Sequence, residues 1–278
     1  MSPTVRRLLQ LAICLGLFPG ASMADPEFSC MFERAPQSCG FVEQAKSADR
    51  VSLVQIAGMN GVRLHTRPGD SHIRGSRTAE RTDLALSQRA SDCYEGREHW
   101  WAHSVLFPDD YVDPPQSEEG GTWNWGAIGG FHNTTNGPGQ GNLTLMAMPA
   151  TAISPDRPTG LSFKVAYGNQ TSPAEATYYI GPVVRNQWYH FVYHVKWSSG
   201  EDGYFDAWVD GMRKMVYRGP TLYPGQGCYL KLANYHSAFG QPSSVIHARV
   251  VRGSTARAVS AGSLEGILHL RQASRSGR

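Results

Sequence analysis

The sequence predicts an all-β protein, a two-sheet β-sandwich of jelly-roll type, and three observations carry that expectation. Strand-like segments with alternating apolar and polar residues recur along the chain, divided by Gly, Pro, Asn and Asp. "GYFDAWVDGMRKMVYRG" (203–219) sets an Asp-Gly dipeptide between two such patterns, the strongest short hairpin signal. Almost no convincing amphipathic helix interrupts them, and there is no heptad or internal repeat.

The N-terminal stretch has another purpose. "MSPTVRRLLQLAICLGLFPGASMADP" has a basic start at Arg6 and Arg7, an apolar run from Leu8 to Phe18 and a small-x-small "SMA" before Asp25. That pattern predicts a cleavable signal peptide over 1–24, too short for a membrane span, and an exported product, secreted or periplasmic. No later stretch is long and apolar enough to cross a bilayer. Cys14 leaves with the signal, and Cys30, Cys39, Cys93 and Cys228 remain. In an oxidising compartment they suggest two disulfides, Cys30–Cys39 closing a short loop and Cys93–Cys228 tying early chain to late. Unpaired buried thiols are the alternative, and zinc is disfavoured because no C-x-x-C pair occurs.

Strand candidates then follow in order. They are "GVRLHTRPGD", "RTDLALSQ", "EHWWAHSVLFP", "NWGAIGGFHN", "NLTLMAMPA", "GLSFKVAYG", "ATYYIGP", "QWYHFVYHVKWSS", the 203–219 hairpin, "CYLKLANYH" and "SSVIHARVVRG". Nothing reads as a linker, so residues 25–278 form one expected domain, with a Ser/Arg/Gly-rich tail frayed at its end. "AGSLEGILHLRQ" is a candidate short helix in that tail, and 113–121 and 133–142 read as loops rimming a cleft. Alternation assigns Tyr189, Phe191, Tyr193, Val195 and Trp197 to the core. Phe205, Ala207 and Val209 also point inward, leaving Tyr204, Asp206, Trp208 and Asp210 outward. Trp208 is thus either a sugar-stacking platform or a partly covered surface residue.

Composition excludes some functions. A formal charge of +3 with scattered Lys and Arg does not imply nucleic-acid binding, though a mildly positive surface suits an acidic polymer. There is no G-x-S-x-G elbow, H-E-x-x-H or P-loop. Asp206 and Asp210 lie roughly 13 Å apart by strand rise, too far for a glycosidase pair. What the strands carry instead is Arg, His, Lys and Tyr.

Those residues sit in an ordered series: "RPGD" (67–70), "ERTDL" (80–84), "EHWWAHSVLFPDDY" (98–111), "GGFHN" (129–133), "WYHFVYHVKWSSGEDGYFDAWVDG" (188–211), "YRGPTLY" (217–223) and "YLKLANY" (229–235). The series, from about Arg63 to Arg252, resembles polysaccharide lyases of the heparin lyase I and glucuronan lyase type, of concanavalin-like jelly-roll fold. "ERTDL" is similar to the family's Arg-x-Glu-Leu, "GGFHN" stands at its Gln-x-His and "YLKLANY" at its Lys-x-Gly-x-Tyr strand. The resemblance implies β-elimination on a uronic-acid polymer, with His132 favoured as base and Tyr235 as acid, two roles that can merge or swap with the stereochemistry, and Arg81, Lys231 and Asn133 as candidates for holding the C6 carboxylate. Trp208 joins the substrate-binding set as a stacking surface. Gly130 stands where the family has Gln, and Ala233 and His236 flank Tyr235 where Gly and Arg are usual. Each residue also has an ordinary structural alternative, an Arg81–Asp83 ion pair among them. A monomer needing no cofactor is expected, with "SGEDG" (199–203) as one possible structural calcium loop. The rivals are a carbohydrate-binding sandwich without catalysis and a glycoside hydrolase on the same fold.

Overall fold

The computed structural model describes residues 25–73, 78–115, 124–134, 141–149 and 160–260. The expected signal peptide, the tail helix and parts of both rim loops lie outside these residues. The strands are β1 (Phe28–Cys30), β2 (Phe41–Gln44), β3 (Val51–Ile56), β4 (Met59–Thr66), β5 (Glu80–Leu86), β6 (Glu98–Leu106), β7 (Gly126–Asn133) and β8 (Leu143–Met148). They continue as β9 (Gly160–Asn169), β10 (Ser172–Gly181), β11 (Trp188–Lys196), β12 (Tyr204–Val209), β13 (Met212–Arg218), β14 (Cys228–His236) and β15 (Ser243–Gly253). Two short α-helices, α1 (Gln88–Ser91) and α2 (Ala256–Ser260), and two 3-10 turns, Pro36–Cys39 and Ala48–Arg50, complete the described elements.

The strands form two antiparallel sheets. One has eight strands, ordered β13-β12-β11-β6-β15-β4-β3 with β1 added beside β15, and the other has seven, ordered β10-β9-β8-β7-β14-β5-β2. The apolar faces meet: Trp101 and Trp197 of the first sheet pack on Phe131 of the second at 5.4 and 4.7 Å, and Phe191 on Phe163 at 5.9 Å. The two-sheet sandwich is therefore as expected, and Tyr189, Phe191, Tyr193, Val195, Trp197, Phe205, Ala207 and Val209 are all buried in its core. The Asp210–Gly211 turn has φ of 50° and 77°, the left-handed pair that a two-residue hairpin requires. Strands β1, β2 and β3 escaped the sequence reading: the first two are three and four residues long, too short to show a period.

Both disulfides form, Cys30–Cys39 and Cys93–Cys228, with Cα–Cα distances of 5.7 and 5.1 Å. The second pins the first residue of β14, and β14 runs between β7 and β5 near the middle of the seven-stranded sheet. Along β14, Leu230 and Leu232 enter the core and Asn234 donates to Leu64 O and Ser243 O of the facing sheet. Tyr229, Lys231, Ala233 and Tyr235 consequently share the outer face.

Candidate active site

The outer face of the seven-stranded sheet gathers the polar residues. Register sets Tyr235 opposite Arg81, Ala233 opposite Asp83 and, one strand further, Asp83 opposite Gln44. Lys231 and Tyr235 are four residues apart on β14, roughly 13 Å of strand. Side chains close that gap. Lys231 Nζ reaches Asp83 Oδ2 at 2.6 Å and donates to Gln44 Oε1 at 3.1 Å. Arg81 Nε reaches the same Asp83 oxygen at 3.1 Å, and its guanidinium lies over the Tyr235 ring, 4.0 Å from the centroid. Trp125 meets the same ring edge-on at 4.8 Å. Tyr235, Arg81, Asp83 and Lys231 thus form one continuous cluster, with only the small Ala233 between them on β14.

Charge explains why the cluster holds. Asp83 is fully buried and Arg81 and Lys231 are both 8 % exposed, so the carboxylate stands between two cations in a poorly solvated place. A buried ion is tolerated when paired, and here one anion serves two cations.

His132 borders the cluster on β7, opposite Tyr229, whose ring is 5.4 Å away. Burial, first of all, and then the Lys231 and Arg81 charges hold its pKa below the usual imidazole range, against the opposing pulls of the Asn133 carbonyl and Asp83. Its Nδ1 donates to Asn133 O at 2.9 Å, which fixes the tautomer and leaves Nε2 with the lone pair. A neutral imidazole with an unprotonated Nε2 is the form a general base needs.

Two expected site residues lie elsewhere. Asn133 is 1 % exposed and opposes the buried Cys228, and its Nδ2 donates to Gln226 Oε1. Strand alternation turns it away from the face that His132 occupies, so its side chain is not among the carboxylate holders. Trp208 sits on β12 of the other sheet, stacked on Trp100, which in turn stacks on His194. It belongs to the opposite outer face of the sandwich, and its indole engages neighbouring rings. The carboxylates of a hydrolase are also occupied: Asp206 is bonded by Arg218, and Asp210 Oδ1 accepts from His190 N.

In the 199–203 loop one carboxylate is already engaged. Asp202 is bonded by Lys196 at 2.6 Å and by Ser198 Oγ at 2.6 Å, so a cation and a hydroxyl already occupy its oxygens. No group of three His, Cys, Asp or Glu placed for a metal occurs among the described residues.

Gln44, Trp125 and Tyr229 were not foreseen. Asp83 had a signal, since two residues from Arg81 on a strand is the same face. Gln44 had none, because only sheet pairing brings it to β5.

A model of the polysaccharide lyase family matches residues 33–250, and the chain belongs to that family. By that family it is a polysaccharide lyase. Among solved structures it is similar to the endo-β-1,4-glucuronan lyase from the fungus Trichoderma reesei, at 16 % identity and a TM-score of 0.54 over 76 % of this chain and 90 % of that one. It is also similar to the alginate lyase Aly36B, at 14 % identity and 0.55, over 84 % of this chain and 99 % of that one. At such identities the likeness is one of fold. No curated protein matches the chain in sequence.

Proposed function

We propose that this polysaccharide lyase is exported and cleaves a uronic-acid polymer of glucuronan-like or alginate-like kind, on the outer face of the seven-stranded sheet. The observation that carries the reading is the Arg81–Asp83–Lys231 trio, two cations on one buried carboxylate, flanked by His132 on one side and Tyr235 on the other. A proton α to a carboxylate is a poor acid, so charge stabilisation is the first requirement. Arg81 and Lys231 hold the C6 carboxylate and stabilise the charge that builds on it as C5 loses its proton. His132 Nε2 takes that proton. The C4–O4 bond breaks, its electrons depart with O4, and the pair left at C5 forms a C4=C5 double bond. Tyr235 protonates O4, held in place by Arg81 over its ring and Trp125 at its edge. Glucuronan-like or alginate-like polymers suit the site better than sulfated ones, since Lys and Arg are scattered along the chain without a dense basic cluster. The two disulfides suit an oxidising compartment.

The test is the ultraviolet absorbance of the unsaturated product, measured on polyglucuronate, polymannuronate and polyguluronate. At least one should give the signal with the wild type, and His132→Ala and Tyr235→Phe should each lose it by about a hundredfold or more while remaining folded. Full activity in both variants would move the chemistry to another site. Reducing ends that appear without the chromophore would mean hydrolysis.

A further inference from the structure

We propose a distal uronate-binding subsite at Lys164 and Tyr179, on the same sheet face as the cluster but at its other edge; the proposal rests on the reading above for the identity of the polymer. Backbone register carries it. From Lys231 the pairing runs across β7, β8, β9 and β10 through Gly130, Thr144, Lys164 and Thr177. From Tyr235 a second row runs through Ala127, Met146, Ser162 and Tyr179. Their neighbours Phe163, Val165 and Tyr178 pack on the core, so Lys164 and Tyr179 look outward. Three strand spacings separate Lys231 from Lys164, roughly 14 Å, and four separate Tyr235 from Tyr179, roughly 19 Å. At that distance Lys164 meets the carboxylate of another sugar along the chain, not that of the residue being cleaved.

The first step of that row, next to Lys231, is bare for a backbone reason. Gly129 and Gly130 have φ of 150° and 129°, and a Cβ on Gly130 would lie 2.1 Å from Leu143 O. No side chain can stand at Gly130, and Thr144 then precedes Lys164 in the first row, as Ala127, Met146 and the buried Ser162 precede Tyr179 in the second. A polymer crossing the strands from Lys231 would pass over these rows to reach Lys164 and Tyr179. Tyr179 is 50 % exposed on the edge strand β10, one of the few large apolar side chains so open among the described residues. Lys164 Nζ lies 3.8 Å from Glu175, a long and partly exposed pair at the same edge of the sheet. An open aromatic ring beside a lysine is what a uronate needs: a face for the sugar and a charge for its acid.

The experiment measures affinity in a Tyr235→Phe background, where turnover is suppressed, by calorimetric titration with long-chain polyglucuronate and alginate and with their trisaccharides. Adding Lys164→Ala with Tyr179→Ala should raise the Kd for a long chain about tenfold, the equivalent of about 1.4 kcal/mol, and leave trisaccharide affinity within about twofold. Lys164→Arg should restore most of the lost affinity, and added salt should diminish the Lys164 contribution. Equal losses on both chain lengths, or no loss on either, overturn the subsite. The parent reading is tested separately: a wild type that forms no unsaturated product yet binds long chains through these residues would sink the elimination and leave the subsite standing.

Discussion

Asp83 is the residue on which the cluster depends. Its one buried carboxylate compensates two cations, and it also opposes their pull on His132. Asp83→Ala leaves both cations without it and should cost about 3–5 kcal/mol of stability, read from urea unfolding. Asp83→Asn keeps the shape and removes the charge. His132 must be neutral to act as base, so the acid limb of the kcat/KM profile reports its pKa. With Arg81 and Lys231 less compensated, that pKa falls further, and the limb should move to lower pH. A limb that stays in place would show that His132 is not the titrating base. Much of this was legible in the sequence. His132, Tyr235, Arg81 and Lys231 stood in recognisable strand patterns, and three of the four now share one contiguous cluster with the fourth at its border. Asn133 and Trp208 were misplaced for two different reasons. Alternation on β7 had already separated Asn133 from His132, whereas the sheet that β12 joins was not visible in the local pattern.

Two strands set the geometry of the site. β14 carries Lys231 and Tyr235, and its first residue is tied to Cys93 across 135 residues of sequence. A loop of that length implies a disulfide contribution of up to about 5 kcal/mol in the chain-entropy account. Cys93→Ser together with Cys228→Ser should lower the unfolding free energy read from urea titration by about 2–5 kcal/mol, and its effect on turnover should exceed that of Cys30→Ser with Cys39→Ser. On β7 the register shifts between Ala127 and Gly129, a bulge that brings the backbone against β8. Gly130 therefore has a structural reason to be glycine. Its left-handed φ and the 2.1 Å approach to Leu143 O leave no place for a side chain. Gly130→Ala should cost roughly 1–3 kcal/mol or more and disturb His132 two residues on, read as a lowered melting temperature and reduced turnover. A neutral outcome would mean that the bulge relaxes and that a glutamine there is tolerable. The sequence showed the departure, but the close approach that demands glycine lies between strands paired only in the fold.

Across the whole sandwich, the interior also holds two histidines that take no part in the proposed chemistry. His103 stacks on Phe191 at 4.9 Å, and His247 contacts the Ala233 carbonyl from behind the site at 3.1 Å. Burial pushes them down to about 3 and about 4. In the unfolded chain both protonate near pH 6.5, while the folded protein keeps them neutral. Stability is thus complete above about pH 6.5 and falls as the pH drops toward 4, by about 1.4 kcal/mol per pH unit for each histidine. Unfolding free energies from urea titrations between pH 7 and pH 4.5 should show that fall, and His103→Phe should remove about 1.4 kcal/mol per pH unit of it. An unchanged slope would place the acid sensitivity in other groups. On the scale of the molecule, the sequence by itself determined the sandwich, the inward faces of β11 and β12, the hairpin and the residue types of the site. These depend on local periodicity and turn chemistry, which any short window reveals. Only the tertiary structure decided that Gln44, Asp83 and Lys231 meet, that Trp208 lies on the far face, and that Lys164 and Tyr179 share the outer face with the cluster. Those facts are settled by which strands pair and in what register, and pairing between segments distant in the chain leaves no mark within either one.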